Sequence, residues 1–531
     1  VLVKNMMKQD NRDDKTEQER QSKAERLTNG PLKPLIIKLA LPSIVSMLIS
    51  TFYNMADTFF VGQMQNTSAT GAVGVVMPVM ALIQAFGYFF GHGSGNFISR
   101  KLGEGDEDSA RRMASTGFFY AIAFSLLLMA IGLIFLRPLA NLLGSTETIR
   151  PYAEEYMRVI LFGAPVMTGA IVMNNQMRFQ GNAYYSMFGI AAGGILNVAL
   201  DPLFIFTFGM DVTGAALATV ISQFLSFLFV VGFLLKKSTK IRLSFSKPDG
   251  KLVGKIFRYG ASPFFILATD SLVIIVSNMV LKAYGGADGD KWITVSTIVQ
   301  SFMSAITMPL LGISTGTQPA LAYNYGAKNI PLLKRAERSI VILALSFTGI
   351  MFALSFPLAR PVAGLFSGNE EIVSLSAWGI RVYMIGIIPL SLQYAFVDGM
   401  TGLGQPKYAF ILSMTRKLVV FLGCLLILPR FWGAEAAFYA EPIADIFGAC
   451  FSTAVFAVLF PKILKKRQNE AVVRFMNFNP MYHFITLFRT MLVGGTPSLV
   501  SFTVCYLFSV ISLIAGSLFF RYLRPRIAAR L

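Results

Sequence analysis

The segment LALPSIVSMLISTFYNMADTFFVGQ, residues 39–63, decides the fold class. It is long enough for a helix to cross the hydrocarbon core of a bilayer, which takes about 20 mostly apolar residues. Its polar residues do not alternate as in a barrel strand. Ser50, Tyr53, Asn54 and Asp57 recur at helical spacing and share one face. A charge placed deep in a membrane helix is expensive, so Asp57 is a functional candidate by default. Pro42 lacks a backbone donor and permits a bend in the same helix.

The pattern recurs along the chain. Of 531 residues, 54% are apolar and 14% charged, and the mean hydropathy is +0.59. Soluble proteins carry about 25% charged residues. A soluble globular fold, a disordered chain and a disulfide scaffold are excluded. Cys424, Cys450 and Cys505 lie far apart in apolar stretches and form no CxxC pair, and His92 and His483 cannot make a metal cluster by themselves. Twelve helical spans are expected, at roughly 35–60, 73–97, 114–136, 156–177, 187–208, 213–235, 261–282, 293–320, 340–357, 378–398, 408–429 and 434–460.

The net charge of +19 would suggest nucleic acid in a soluble protein. Here the basic residues sit in short loops, so they read as orientation signals and no nucleic-acid partner is expected. Arg100, Lys101, Arg111 and Arg112 follow span 2, Lys328, Lys334, Arg335 and Arg338 follow span 8, and Lys462, Lys465, Lys466 and Arg467 follow span 12. Residues 61–72 and 207–213 carry no Lys or Arg. Both ends of the core are therefore expected in the cytosol. Residues 1–34 read as a polar cytosolic tail without a cleavable signal peptide.

An internal repeat accompanies the spans. Arg137-Pro138-Leu139-Ala140 recurs as Arg360-Pro361-Val362-Ala363, displaced by 223 residues. The same displacement relates Gly103 to Gly326, Arg158-Val159 to Arg381-Val382, Gly163 to Gly386 and Gly181 to Gly404. The basic linker 236–260 then separates two six-helix lobes, 35–235 and 261–460, and residues 461–531 add a basic stretch and one more apolar segment. Halves of equal span number keep one orientation, so their pseudo-two-fold axis runs along the membrane normal.

Intramembrane polar residues supply the candidate sites. Asn197 and Asp201 lie one turn apart on span 5. If spans 1 and 5 face each other, Asp57, Asn197 and Asp201 can enclose a cation or a shared proton, and the two acids would titrate as a coupled pair. Asn174, Asn175, Thr219 and Gln223 could line the same cavity or make interhelical hydrogen bonds. The acidic site is not duplicated, because the displacement carries Asn197 to Val420 and Asp201 to Cys424. The second half has its own acids, Asp270, Asp398, Glu441 and Asp445, which could hold a cationic substrate or pair with Arg416. The run Gly91-His92-Gly93-Ser94-Gly95 lacks nucleophile-elbow spacing and reads as close helix packing.

The chain resembles the multidrug and toxic compound extrusion (MATE) transporters, in particular the bacterial branch with an acidic site in the N-terminal lobe. The resemblance covers roughly residues 30–465. It rests on residues 39–63, RFQGNAYYSM (178–187), ILNVALDPLF (195–204), GAALATVISQ (214–223), ISTGTQPALAYNYGAKN (313–329) and GMTGLGQPKYAF (399–410), taken together. It implies a V-shaped pair of lobes in the bacterial inner membrane, acting as a monomer with the lipid bilayer as its setting. It implies export of small cationic or amphipathic compounds in exchange for H+ or Na+, with no other cofactor or metal. The coupling-ion roles fall on Asp57, Asn197, Asp201 and Thr219, the hinge on Pro42, and the drug-pocket aromatic and amide on Tyr53 and Asn174. The tail departs from this pattern. Its apolar run, about 498–520, and the preceding NPMYHFITLFRTMLVGG (479–495) resemble the end of a permease from an ATP-binding-cassette exporter. Three rivals stand beside this reading. A lipid-linked glycan flippase of the same superfamily would present cationic cavity residues to pyrophosphate. An intramembrane enzyme would need a nucleophile–base pair that neither histidine supplies. A permease with an ATPase partner is suggested by the tail alone.

Overall fold

The computed structural model describes residues 32–63, 67–234, 249–476 and 498–508, with a few isolated positions beyond 476. The helices are α1 (Leu32–Gly62), α2 (Thr67–Gly103), α3 (Glu107–Ile134), α4 (Leu136–Leu142), α5 (Arg150–Phe179), α6 (Ala183–Pro202), α7 (Asp211–Leu234) and α8 (Gly250–Gly285). They continue as α9 (Gly289–Gly326), α10 (Ile330–Phe366), α11 (Glu370–Met384), α12 (Ile387–Gly402), α13 (Pro406–Met414), α14 (Leu422–Trp432) and α15 (Ala440–Met476). Among the described residues there is no strand.

Each expected span falls on a helix or a broken helix. Among the described residues ten runs are long and apolar enough to cross a membrane, and the α11–α12 pair, bent by 49°, makes an eleventh. The run Gly250–Gly326 contains two helices, α8 and α9, which pack on each other across the tight turn Gly286–Asp288. The helices overrun the apolar windows. α9 has 38 residues, about 57 Å at 1.5 Å per residue, against about 30 Å of hydrocarbon. Hydropathy reports only the lipid-facing middle. Capping side chains set the ends: Asp106, Asp249, Asn329 and Asn369 each accept a backbone N–H of the first helical turn. α4 was not expected; Arg137 and Pro138 lie in this short helix after α3.

The described residues up to Val458 form one compact unit. One apolar core lies within residues 61–216, around Tyr156, Met157 and Ile160. A second lies within 280–444, around Val295, Ile380 and Phe438. Two smaller clusters bridge the halves: Phe89 and Ile98 with Ile256 and Tyr323, and Ile36 and Leu39 with Ala320 and Leu321. In lipid, apolar area gives helices little reason to associate, so small residues that let backbones approach carry the contact. A Cβ on Gly103 would lie 2.0 Å from the Tyr323 carbonyl oxygen, and one on Gly326 would lie 2.1 Å from that of Arg100. Both the glycines and the carbonyls are related by 223 residues, so the contact is reciprocal about a pseudo-two-fold axis. Gly181 and Gly404, another pair of the repeat, both take left-handed conformations (φ 83° and 76°) that end α5 and α12 in the same turn.

The described residues from Leu459 onward form the second unit. It holds the last part of α15 and the helix Leu499–Phe508, where Ser501 Oγ lies 3.1 Å from His483 Nδ1. About half of the expected segment 498–520, and nearly all of 479–495, lies outside the described residues, as do residues 1–31 and most of the linker, 235–248.

Candidate functional site

The acid cluster forms where α1 packs on α6 and α6 on α7. Asp201 is fully buried, and Asp57, Asn197 and Thr219 are 8, 3 and 7% exposed. Asn197 and Asp201 are one turn apart, so the Asn197 amide donates to Asp201 Oδ1 at 3.3 Å. The two carboxylates act on each other electrostatically, and both act on the buried Tyr156 hydroxyl. Asp57 Oδ1, Asn197 Oδ1 and Asp201 Oδ2 are buried without a hydrogen-bond donor among the described residues. Orphaned buried acceptors are costly. Three of them with two formal negative charges make a set that a proton or a hard cation would complete. Pro202, next to Asp201, has no N–H to give, and the helix continues as the widened turn Leu203–Thr207.

Pro42 is buried inside an unbroken α1. Ser46 Oγ donates to its carbonyl at 2.7 Å, and Ser43 beside it packs against Gly316 of α9. The side chain of Asn54 lies outside what the structure describes.

A central cavity of about 270 Å³ lies between the halves, lined by Tyr53, Asn174 and Gln223 among others. Asp57, Asn197, Asp201 and Thr219 do not line it. Tyr53 joins the two places. Its hydroxyl lies within electrostatic reach of Ser50, Gln223 and Asp57. Asn174 accepts from Ser186 at 3.4 Å. His92 and Thr315, Asn175 and Asp398, and Arg178 and Thr401 are three pairs of the 223-residue repeat, and all six line this cavity. The frame is symmetric there and the charges are not. Arg178 bonds to Asn175 Oδ1, lies 3.3 Å from His92 Nε2, and acts electrostatically on Asp398 of the other half.

A second cavity of about 390 Å³ lies in the second half and shares a wall, including Val397 and Asp398, with the first. Asp270 and Glu441 line it, and Asp445 lies behind, fully buried. Arg416 Nη1 reaches Asp445 at 2.5 Å and Glu441 at 3.3 Å, and Lys417 is ion-paired with Asp270. Asp398 Oδ2 is buried without a hydrogen-bond donor among the described residues.

Sequence reasoning missed His92, Arg178, Glu337 and Lys417. Glu337 of α10 is buried against Gly399 and acts on Asp398. It lay in an expected loop, because the polar first turns of α10 fall outside the apolar window. Arg178 stood one residue past the end of span 4. Lys417 was inside span 11, and an intramembrane lysine is signal enough.

The MatE family model matches this chain twice, over residues 42–203 and 265–426, and the two matches are displaced by the same 223 residues. The multidrug export protein MepA of Staphylococcus aureus is 26% identical over 418 residues, 78% of this chain and 91% of that protein. The fold is similar to an outward-facing multidrug resistance MATE family transporter (TM-score 0.77, 26% identity, 84% of this chain and 99% of the other). It is equally similar to a transporter of the MOP superfamily from Pyrococcus furiosus described as having a binding pocket of reverse polarity (TM-score 0.77, 25% identity, 83% and 99%). With both copies of the family domain on one chain of membrane-crossing helices, the protein belongs to the MatE family of transporters.

Proposed function

We propose that the protein is a secondary active multidrug efflux antiporter of a bacterial inner membrane, exporting cationic or amphipathic compounds in exchange for H+ or Na+. The family membership and the likeness to MepA support efflux. The observation that carries the coupling is the buried set Asp57, Asn197 and Asp201, three acceptors without donors on two packed helices. Thr219 on the neighbouring α7 adds a hydroxyl. Segments 35–235 and 261–460 act as the two lobes, with both ends of the core in the cytosol. The close Gly103–Gly326 contact lies beside Arg100, Lys101 and Lys328, on the side the basic loops assign to the cytosol, which supports reading that side as the closed one.

With the cytosolic side closed, a proton or Na+ enters from outside and neutralises the acid set. Tyr53, which lines the cavity and lies within electrostatic reach of Asp57, passes the change to the cavity wall. α1 bends at Pro42, drug leaves, and the ionised site later favours a new cation. Asp57→Asn removes one charge at constant shape. Resistance of an expressing strain should fall to the empty-vector level with expression unchanged, and full resistance in that variant contradicts the scheme. Vesicle uptake of a fluorescent cation under imposed pH or Na+ gradients identifies the ion. A lipid-linked glycan flippase is the second reading, favoured by Arg178 in the central cavity. Asp398 faces that arginine and offsets its charge, which favours drug export. Glycan-export complementation separates the two.

A further inference from the structure

The second cavity contains a cation of its own. Thr415–Phe421 is a wide-turn segment between α13 and α14. Adjacent residues of an α-helix point about 100° apart. Here Arg416 and Lys417 both line the cavity. Wide turns of this kind gather at functional sites. The two cations are held differently. The Arg416 side chain is 8% exposed and fixed by two acids of α15, Glu441 and Asp445. The Lys417 side chain is 21% exposed, and its partner Asp270, from α8, is 40% exposed. Lys417 is a compact charge on a flexible four-carbon stem. The Asp270 side chain therefore faces the cavity with one ammonium on it and room beside it. The rest of the lining suits an organic cation: Tyr383, Tyr394 and Phe421 offer ring faces, Met303 and Leu311 offer apolar walls, and Asp398 adds a second carboxyl group.

We propose that Lys417 is a tethered competitor for the cargo: its ammonium occupies the Asp270 carboxylate in the place a monovalent amphipathic cation takes, and cargo binds by displacing it. Lys417 thereby sets specificity. It weakens binding of every monocation, and a cargo must supply enough apolar and ring contact to offset the exchange. It also provides for release, since the lysine returns to Asp270 as the cation departs and the carboxylate is not left bare. The inference rests on the efflux reading for the identity of the cargo and on the cavity alone for the site.

The test is calorimetric titration of the full chain in detergent with tetraphenylphosphonium, and with triphenylphosphine oxide as a neutral relative. Lys417→Met should bind the cation at least about fivefold more tightly, as expected for freeing one half-exposed carboxylate. The neutral compound should bind Lys417→Met and the wild type alike. Asp270→Asn should weaken the cation, and in the Asp270→Asn background Lys417→Met should add nothing. Lys417→Gln repeats the test if the Met variant fails to fold. Unchanged or weaker cation binding in the folded Lys417 variants overturns the proposal and leaves the efflux reading standing. A wild type with no affinity for the cation overturns both. A gain for the cation and the neutral compound alike shows enlargement of the pocket and overturns it too.

Discussion

Replacing Gly326 by alanine tests how the halves are held. The added methyl meets the Arg100 carbonyl oxygen at 2.1 Å, and ordinary contact begins near 3.4 Å. The obstacle is backbone on both sides, so no side-chain rotation relieves it, and α2 and α9 must separate. Overpacking of this kind costs about 1–3 kcal/mol. Applied to a two-state equilibrium, that lowers the ratio of sealed to opened conformers by about 5- to 150-fold. The pseudo-two-fold makes the prediction sharper. Gly103→Ala puts its methyl 2.0 Å from the Tyr323 oxygen and should act in the same direction and to a similar extent. Because one opening relieves both clashes, the double variant should cost less than the two single variants added together. Spin labels at the exposed positions Asp108 and Lys334, in a chain with the three cysteines replaced, report the separation. A longer distance should become populated in both single variants. Wild-type distance distributions, or a response from one glycine and silence from the other, refute the reciprocal seal.

Two further outcomes follow from side chains at fixed positions. Arg416→Met leaves Glu441 and Asp445 without their shared cation, and breaking a buried pair costs about 3–5 kcal/mol; melting in detergent should show a large loss, partly restored by Asp445→Asn, and an unchanged melting temperature counts against the pairing. Asp106 caps α3, and bonds from Ser109, then Lys101, hold its carboxyl below its usual value. A lowered folded pKa stabilises above the unfolded value near 4 and is lost as pH falls through the folded one. The wild type should therefore exceed Asp106→Ala by about 1 kcal/mol at pH 7 and converge with it below pH 4; a gap independent of pH excludes the charge.

The sequence made the spans legible because lipid imposes one rule on all of them. Backbone groups must pair within the helix and the outward face must be apolar, so a window of about 20 residues finds them. The breaks within spans were hidden. The 49° bend between α11 and α12 is one the apolar window passed over, although Gly386 and Pro389 stand at it and the proline has no N–H for the Ile385 carbonyl. The acid set of α1 and α6 was legible because spacing on one helix and expense in lipid coincide at Asp57, Asn197 and Asp201. Glu337 and Arg178 were not, because they sit where helices outrun their apolar windows. There a charge looks like a loop residue until the tertiary contact is known. The pairing of Lys417 with Asp270 crosses 147 residues, and no local pattern encodes it.

The repeat and the charges obey different constraints, and the difference bears on direction of transport. Backbone packing is duplicated: Gly103 and Gly326 exchange the same contact, and Gly181 and Gly404 make the same turn. A reciprocal contact is relieved on both halves by one separation. Identical charges at the axis would repel, since each half brings its copy to the same place. At the central cavity the sequence has instead Arg178 against Thr401 and Asn175 against Asp398, so the axis carries one cation and one anion. The same divergence leaves Asp57 and Asp201 in the first half, and the Lys417–Asp270 pair in the second, without counterparts at the displaced positions. If the ion is read on one side of a symmetric frame and the cargo on the other, each can bias a single shared movement without sharing a binding site. That is thermodynamic coupling between separate sites, and it requires that occupancy of the acid set alter affinity in the second cavity by the same factor as the reverse. Titrating tetraphenylphosphonium at several pH values, with Asp57→Asn as the uncoupled control, measures that factor. A cation affinity with the same pH dependence in wild type and Asp57→Asn would mean that the two halves act independently.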